Sequence, residues 1–305
     1  MIIPKTNKIR TAITQAELEK TLASVFESHR GKGYYYMDHD HDHPMRETAY
    51  DLLLSYFDDN QRRVIESQIQ RTMSQIGTRR IMDQGCDHAN SLSMITRRFS
   101  EQYPENEYHG YGVSGSLNDM WLEERTWEND MTIQQEELLR DHRIYSFKSW
   151  NDRAENAQFF GIEDDIHKVM KRFPFPLDLV FSDNTYFHLF MPWLAMKRTA
   201  DKLAVGGVAL IRTLFQFPVD SATGRPMSDH SLVELLGKDN PEYEIISSNP
   251  ERSRRVLAVV KNGDAEFKTN QYICSVETAE CDSKSIRTFY SKKQQPVDFL
   301  AIDTL

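Results

Sequence analysis

Three segments, met in this order along the chain, limit what it can fold into: Met82-Asp83-Gln84-Gly85-Cys86-Asp87-His88-Ala89-Asn90-Ser91, Leu177-Asp178-Leu179-Val180-Phe181-Ser182-Asp183-Asn184, and Leu203-Ala204-Val205-Gly206-Gly207-Val208-Ala209-Leu210-Ile211. Each sets a polar or glycine-containing turn against a short apolar run. Their succession fits an open α/β sheet that binds ligand in a crevice at the carboxyl ends of its strands. From Thr78 onward, short apolar runs alternate with amphipathic stretches, the texture of βα units. Strands are expected near 79–83, 108–113, 143–148, 177–182 and 206–212. Helices are expected at Ser91 to Glu101, Met131 to Arg140, Asp164 to Lys171 and Pro192 to Leu203. Tyr243 to Ser247 and Arg255 to Lys261 read as a terminal hairpin around the turn-forming Asn249-Pro250-Glu251-Arg252.

The first 77 residues read differently. Thr14-Gln15-Ala16-Glu17 has the form of a capping box, and Leu18, Leu22, Val25 and Phe26 follow at helical spacing. A second helix is expected from Pro44 to Phe57. A third carries Ile65, Ile69, Met73 and Ile76 on one stripe, and Gly77 ends it. The division is therefore 1–77 as a helical cap or lid, 78–262 as an α/β core and 263–305 as an extension. The expected fold class is an α/β, mostly parallel seven-stranded sheet with helices on both faces, plus the N-terminal helical cap.

Composition narrows the function. A chain of 305 residues buries a core without staples, and its three cysteines, Cys86, Cys274 and Cys281, have neither a pairing framework nor zinc-ribbon spacing. No run approaches a membrane span or a signal peptide. A cytoplasmic protein is the expectation. The formal net charge of -9 argues against a protein whose main task is gripping phosphate backbones. The run Asp38-His39-Asp40-His41-Asp42-His43 puts three imidazoles or three carboxylates on one side of an extended segment. A metal site is one reading of it; a lid segment is the favoured one, and no metal is assigned.

The motifs then carry a resemblance. Asp83-Gln84-Gly85-Cys86-Asp87-His88-Ala89, Tyr111-Gly112-Val113-Ser114, Asp178-Leu179-Val180-Phe181-Ser182-Asp183-Asn184 and Leu203-Ala204-Val205-Gly206-Gly207, in that order, resemble the class I S-adenosylmethionine-dependent methyltransferases over roughly residues 78–262. The resemblance implies a Rossmann-like sheet and S-adenosyl-L-methionine as cofactor. It implies a cofactor site at Asp83, Gly85, Cys86, Asp87, Ser114, Ser182 and Asp183, with Asn151 and Asp152 after the third strand beside adenine. An N-cap role suits Asn151 or Asp152 equally well. Two positions depart from the pattern: Asp87 stands where a second glycine is usual, and Ser114 where a carboxylate usually holds the ribose. A serine offers a weaker, uncharged hydrogen bond.

Methyl transfer from a sulfonium needs alignment and a dry pocket, and a base only when the acceptor is protonated. His188, Asp183 and Tyr186 lie at or just beyond the fourth expected strand, and His188 is the favoured base because its ordinary pKa is near neutrality. Packing of His188 against Phe187 and Phe190 is the structural alternative. The expected acceptor is the O or N atom of a small molecule. A second reading, an FtsJ-like RNA ribose 2'-O-methyltransferase, takes Asp183, Arg212 and Arg255 as tetrad positions. An arginine cannot deprotonate, however, and no lysine lies between Thr48 and Gly85. A third reading is a non-catalytic binding protein on the same scaffold.

Overall fold

The computed structural model describes residues 48–86, 90–114, 127–128, 143–147, 155–164, 166–183, 185–186, 192–213, 218–220, 234, 236–248, 255–268 and 272–274. Helices α1 (Ala49–Ser55) and α2 (Asp59–Met73) precede strand β1 (Thr78–Gln84). Then come α3 (Asn90–Gln102), β2 (Glu107–Ser114), β3 (Trp127–Glu128), β4 (Arg143–Phe147), β5 (Ala157–Glu163), α4 (Ile166–Arg172), β6 (Leu177–Ser182) and α5 (Pro192–Lys202). Strands β7 (Leu203–Thr213), β8 (Pro218–Asp220), β9 (Tyr243–Ser247), β10 (Arg255–Lys261) and β11 (Tyr272–Cys274) complete the described elements.

Nine strands form the main sheet in the order β3-β4-β5-β2-β1-β6-β7-β10-β9, and β8 pairs with β11 separately. Strands β5, β2, β1, β6 and β7 run parallel, and β10 returns antiparallel between β7 and β9. Those seven strands are the mostly parallel sheet expected from the sequence. Chain order reverses between β1 and β6, the switch point at which open α/β sheets bind ligands.

The third parallel strand is a correction. Of the run expected at 143–148, Arg143–Phe147 form a strand, but β4 lies antiparallel to β5, outside the parallel set. The strand beside β2 is β5, whose Gly110↔Phe159 and Ser114↔Glu163 pairings run in parallel register. The loop at the ligand edge after the third parallel strand therefore begins at Asp164. It does not follow Phe147.

Both faces of the sheet are covered. On one, α1, α2 and α3 bury Leu53, Leu54, Ile65, Ile69, Met73, Leu92, Ile95 and Phe99 against Ile81, Leu179, Phe181, Val208, Leu210 and Ala258. On the other, α4 and α5 cover the sheet with Val169, Met170, Ala195 and Met196 buried. Burying side chains of this size contributes about 1.5–3 kcal/mol each. Helix α2 starts with a reciprocal capping box between Asp58 and Gln61. Its stripe ends at Met73, since Ile76 is exposed. Residues 49–73, which the sequence assigns to a cap, thus form part of the layer against β6 and β7. The helix expected near 15–29, the Asp38–His43 run and the helix expected at Met131 to Arg140 lie outside the described residues.

Local chemistry fixes the strand ends. Asp178, the second residue of β6, is buried and accepts from the Arg80 backbone N–H at 2.7 Å and from Arg79 Nη1 at 3.0 Å, which locks β6 to β1 at the amino edge. The expected glycine turn before the fifth strand is a bulge within β7, and Gly206 has φ +87°. Thr72 Oγ1 and Gln68 Nε2 of α2 both donate to the Gly206 carbonyl, at 2.6 and 2.9 Å. Among the described residues no helix is long and apolar enough to cross a membrane.

Candidate functional site

At the carboxyl edge, β1 ends in a bend at Gly85 with φ +85°. The N–H groups of Gly85 and Cys86 both donate to the Val113 carbonyl, at 2.7 and 3.2 Å, so the bend is tied to the end of β2. A Cβ at Gly85 would overlap the Thr185 hydroxyl and lie 2.7 Å from the Thr185 Cβ. The glycine therefore admits Thr185, from the turn after β6, as well as the backbone conformation. A ligand at this bend is confined to the side away from Thr185. The Cys86 side chain is buried over Gly112, with Leu92 beside it, which leaves Cys86 only its main chain to offer a ligand.

Two residues expected at the site are committed to the fold. Ser182 is fully buried, and its Oγ donates to the Gln84 carbonyl at 2.8 Å. Tyr186 OH donates to Gln84 Oε1 at 2.9 Å and lies 3.1 Å from Thr199 Oγ1, while Gln84 Nε2 donates to Thr199 at 2.9 Å. Burial pushes the Tyr186 phenol well above its ordinary range, although the Thr199 hydrogen bond opposes the shift. This closed triad locks β1 to α5 and commits the Tyr186 hydroxyl to partners within the fold.

The other described candidates stand at the same carboxyl edge of the sheet. Asp83 is buried near the end of β1, Asp183 follows β6 and Ser114 ends β2 half-buried. Strand alternation puts Asp83, Asp183 and Arg212 on the α1–α3 face. Sequence reasoning missed Asp164, which follows β5; its N–H donates to the Ser114 carbonyl at 3.1 Å, and its carboxylate lies 3.6 Å from Lys168 Nζ. Recognising 157–163 as the third parallel strand was the signal that would have found it. His188, Asp87, Asn151 and Asp152 lie outside the described residues, as do most neighbours of the Asn151-Asp152 segment.

Arg212, near the end of β7, is the largest fully buried side chain among the described residues. Its Nη1 donates to Asp183 Oδ1 at 2.6 Å, and its Cζ lies 5.3 Å from the Tyr56 ring centroid, just beyond α1. Its Nε and Nη2 are buried without a hydrogen-bond partner among the described residues. Strand β7 alternates Val208, Leu210 and Arg212 onto the helix-covered face, so a guanidinium stands where the periodicity calls for an apolar side chain.

A cavity of about 460 Å³ among the described residues lies elsewhere. It lies at the amino edge, where Lys197, Lys202 and Lys261 meet Asp201, Asp264 and Glu266. Strand direction separates it from the switch point, and its charges are largely paired, as in Lys197–Asp201 at 2.9 Å. Among the described residues no group of three or more His, Cys, Asp or Glu is placed to hold a metal ion.

No protein-family profile and no curated protein matches the sequence. Solved structures to which the chain is similar include MnmC2 of Aquifex aeolicus, at 14% identity and TM-score 0.36, covering 68% of this chain and 59% of that one. An O-methyltransferase family protein of Burkholderia thailandensis is 11% identical with TM-score 0.37, covering 85% of this chain and 66% of that one. Phosphoethanolamine N-methyltransferase 2 of Haemonchus contortus is 12% identical with TM-score 0.36, covering 70% and 57%. The chain thus spans less than two thirds of the length of each of these structures. They assign no residue of this chain a role.

Proposed function

We propose that this protein is an S-adenosylmethionine-dependent methyltransferase acting on an O or N atom of a small molecule. The observation that carries the proposal is the polar carboxyl edge of β5-β2-β1-β6-β7, where Asp164, Ser114, Asp83, Asp183 and Arg212 end or follow consecutive parallel strands around the switch point. The donor set suits a nucleoside bearing an amino acid. Ser114 would face the ribose hydroxyls, Asp164 the adenine amine, and Asp83 with the Gly85–Cys86 main chain the amino-acid end. The Thr185 side chain narrows the fit at the Gly85 bend, and Ser114 supplies only a neutral hydrogen bond, so this edge holds the donor less tightly than a carboxylate would.

S-adenosylmethionine supplies an activated methyl group. The chain's own residues then have three tasks: to orient the acceptor in line, to exclude water and to receive a proton. Asp183, held by Arg212, would accept a hydrogen bond from the acceptor's O–H or N–H. His188, two residues beyond the buried Tyr186, is the proposed proton acceptor. The Gln84–Tyr186–Thr199 triad keeps the end of β1 and the turn after β6 in register, which places Asp183.

Calorimetry with S-adenosylhomocysteine tests the proposal. Binding in the micromolar range, with adenosine weaker and NAD silent, is the expected result. Absence of S-adenosylhomocysteine binding by the folded chain overturns it and favours a scaffold that has lost the donor. Binding to structured RNA that weakens steeply with salt would replace the small-molecule acceptor with the ribose reading.

A further inference from the structure

An arginine buried for packing alone ordinarily has its N–H groups met, because an unsatisfied buried donor carries its full desolvation cost. Arg212 does not follow that pattern. Its Nη1 is bound to Asp183, yet Nε and Nη2 have no partner among the described residues. These two nitrogens are adjacent and carry parallel N–H bonds along one side of the guanidinium, the fork that grips two oxygens of a carboxylate or phosphate. A lysine would supply charge without that fork, and an apolar residue would pack here without a desolvation penalty. Position adds a second argument, since Arg212 stands at the carboxyl end of β7, beside Asp183 at the end of β6. Ligands of open parallel sheets bind at such ends. Other buried unpartnered atoms, such as Arg79 Nε, Arg80 Nε and Tyr108 OH, belong to residues at the start of β1 and β2, toward the amino edge.

We propose that the Nε–Nη2 side of Arg212 receives an oxyanion of the methyl acceptor, so the acceptor is a small molecule bearing a carboxylate or a phosphate. The inference rests on the methyl-transfer reading and narrows its substrate class. Asp183 has two parts in it: it offsets the guanidinium charge, which keeps the empty fork from trapping every ambient anion, and it holds the fork in one orientation. The Tyr56 ring against the guanidinium fixes its plane. The fork is sealed from bulk water in this structure, whereas the Asp183 side chain is 18% exposed, so the anion enters from the Asp183 side and is dehydrated as it binds.

The test uses the full chain and matched probes: sodium benzoate, phenyl phosphate and neutral benzamide, titrated by saturation-transfer NMR. One of the two anions is expected to bind at least about tenfold more tightly than benzamide. The tighter of the two names the acceptor group. Arg212→Lys, which keeps charge and loses the fork, is expected to weaken that anion about tenfold without changing benzamide. If Arg212→Lys does not fold, the wild-type chain is photo-crosslinked with 4-benzoylbenzoate, with adducts expected on peptides containing Tyr56, Asp183 or Arg212. Equal affinity for anions and benzamide, unchanged anion binding in a folded Arg212→Lys, or adducts confined to the lysine-lined amino edge overturns the proposal. S-adenosylhomocysteine calorimetry on the same sample separates the two ideas. Donor binding without anion preference overturns this inference alone; anion preference without donor binding overturns both Arg212's role toward a methyl acceptor and the methyl-transfer reading.

Discussion

Replacing Gly85 with alanine tests the account of the β1 bend. The substitution has two separable costs. The first is conformational: at φ +85° an L-residue with a Cβ loses about 1–2 kcal/mol relative to glycine. The second is steric, because the new methyl would overlap the Thr185 hydroxyl and lie 2.7 and 2.8 Å from its Cβ and Cγ2. Overpacking of this kind typically costs about 1–3 kcal/mol, and the turn holding Thr185 is anchored by buried Tyr186 and cannot retreat freely. The sum is about 2–5 kcal/mol, or roughly 4–20 °C in Tm for a domain of this size. Urea denaturation reads it as a shift in midpoint at constant slope. The steric part is isolated by repeating Gly85→Ala in a Thr185→Gly background, where the cost is expected to fall to the conformational 1–2 kcal/mol, about that of a left-handed alanine alone. An equal penalty in both backgrounds would refute Thr185 as the reason for glycine here. A Gly85→Ala protein as stable as wild type would refute the bend itself.

Other perturbations follow from the same contacts. Tyr186→Phe leaves Gln84 Oε1 and Thr199 short of a partner and is expected to cost about 1–3 kcal/mol by denaturation while leaving turnover within a few-fold; a collapse of kcat at unchanged stability would make Tyr186 catalytic. Asp183→Asn removes the charge that compensates buried Arg212 and is expected to destabilise by about 3 kcal/mol, less than a fully dry pair because Asp183 reaches solvent. Desolvation holds His109 below the ordinary imidazole range, against the raising effect of Glu107. The unfolded chain therefore binds the proton first, and stability falls as pH drops through about 6.5 toward the lower folded value. His109→Gln is expected to flatten that slope in thermal melts between pH 7.5 and 5.5, and an unaltered slope would clear His109 of the effect.

Much of the sheet was legible because its central strands are continuous apolar runs. Leu177–Ser182 is buried throughout, as a parallel strand covered on both faces must be. Strand β5 was not legible. Ala-Gln-Phe-Phe-Gly-Ile-Glu is short, mixed and interrupted by Gly161, whereas the better-patterned 143–147 run drew the assignment and proved to be an antiparallel addition. The expectation of adenine contacts at Asn151 and Asp152 rested on that run, and Asp164, which follows β5, went unremarked. The structural contacts of Ser182, Tyr186 and Thr185 were hidden for another reason. Their partners, Gln84 and Gly85, lie about a hundred positions away, and the number of residues between two groups says nothing about which hydroxyl a strand end will need. Arg212 was visible as a charged residue in an apolar strand, but its free fork is a fact of three-dimensional packing.

The proposed methyl donor is a sulfonium nucleoside lying across the carboxyl edge of β5, β2 and β1. Ultraviolet crosslinking of S-adenosylmethionine to the full chain, followed by mapping of the labelled peptide, tests it without any variant. The account predicts adducts within residues 83–86, 111–114 or 163–164, suppressed by excess S-adenosylhomocysteine. Label confined to the amino edge around Lys197, Lys202 and Lys261, or none that S-adenosylhomocysteine suppresses, would contradict it.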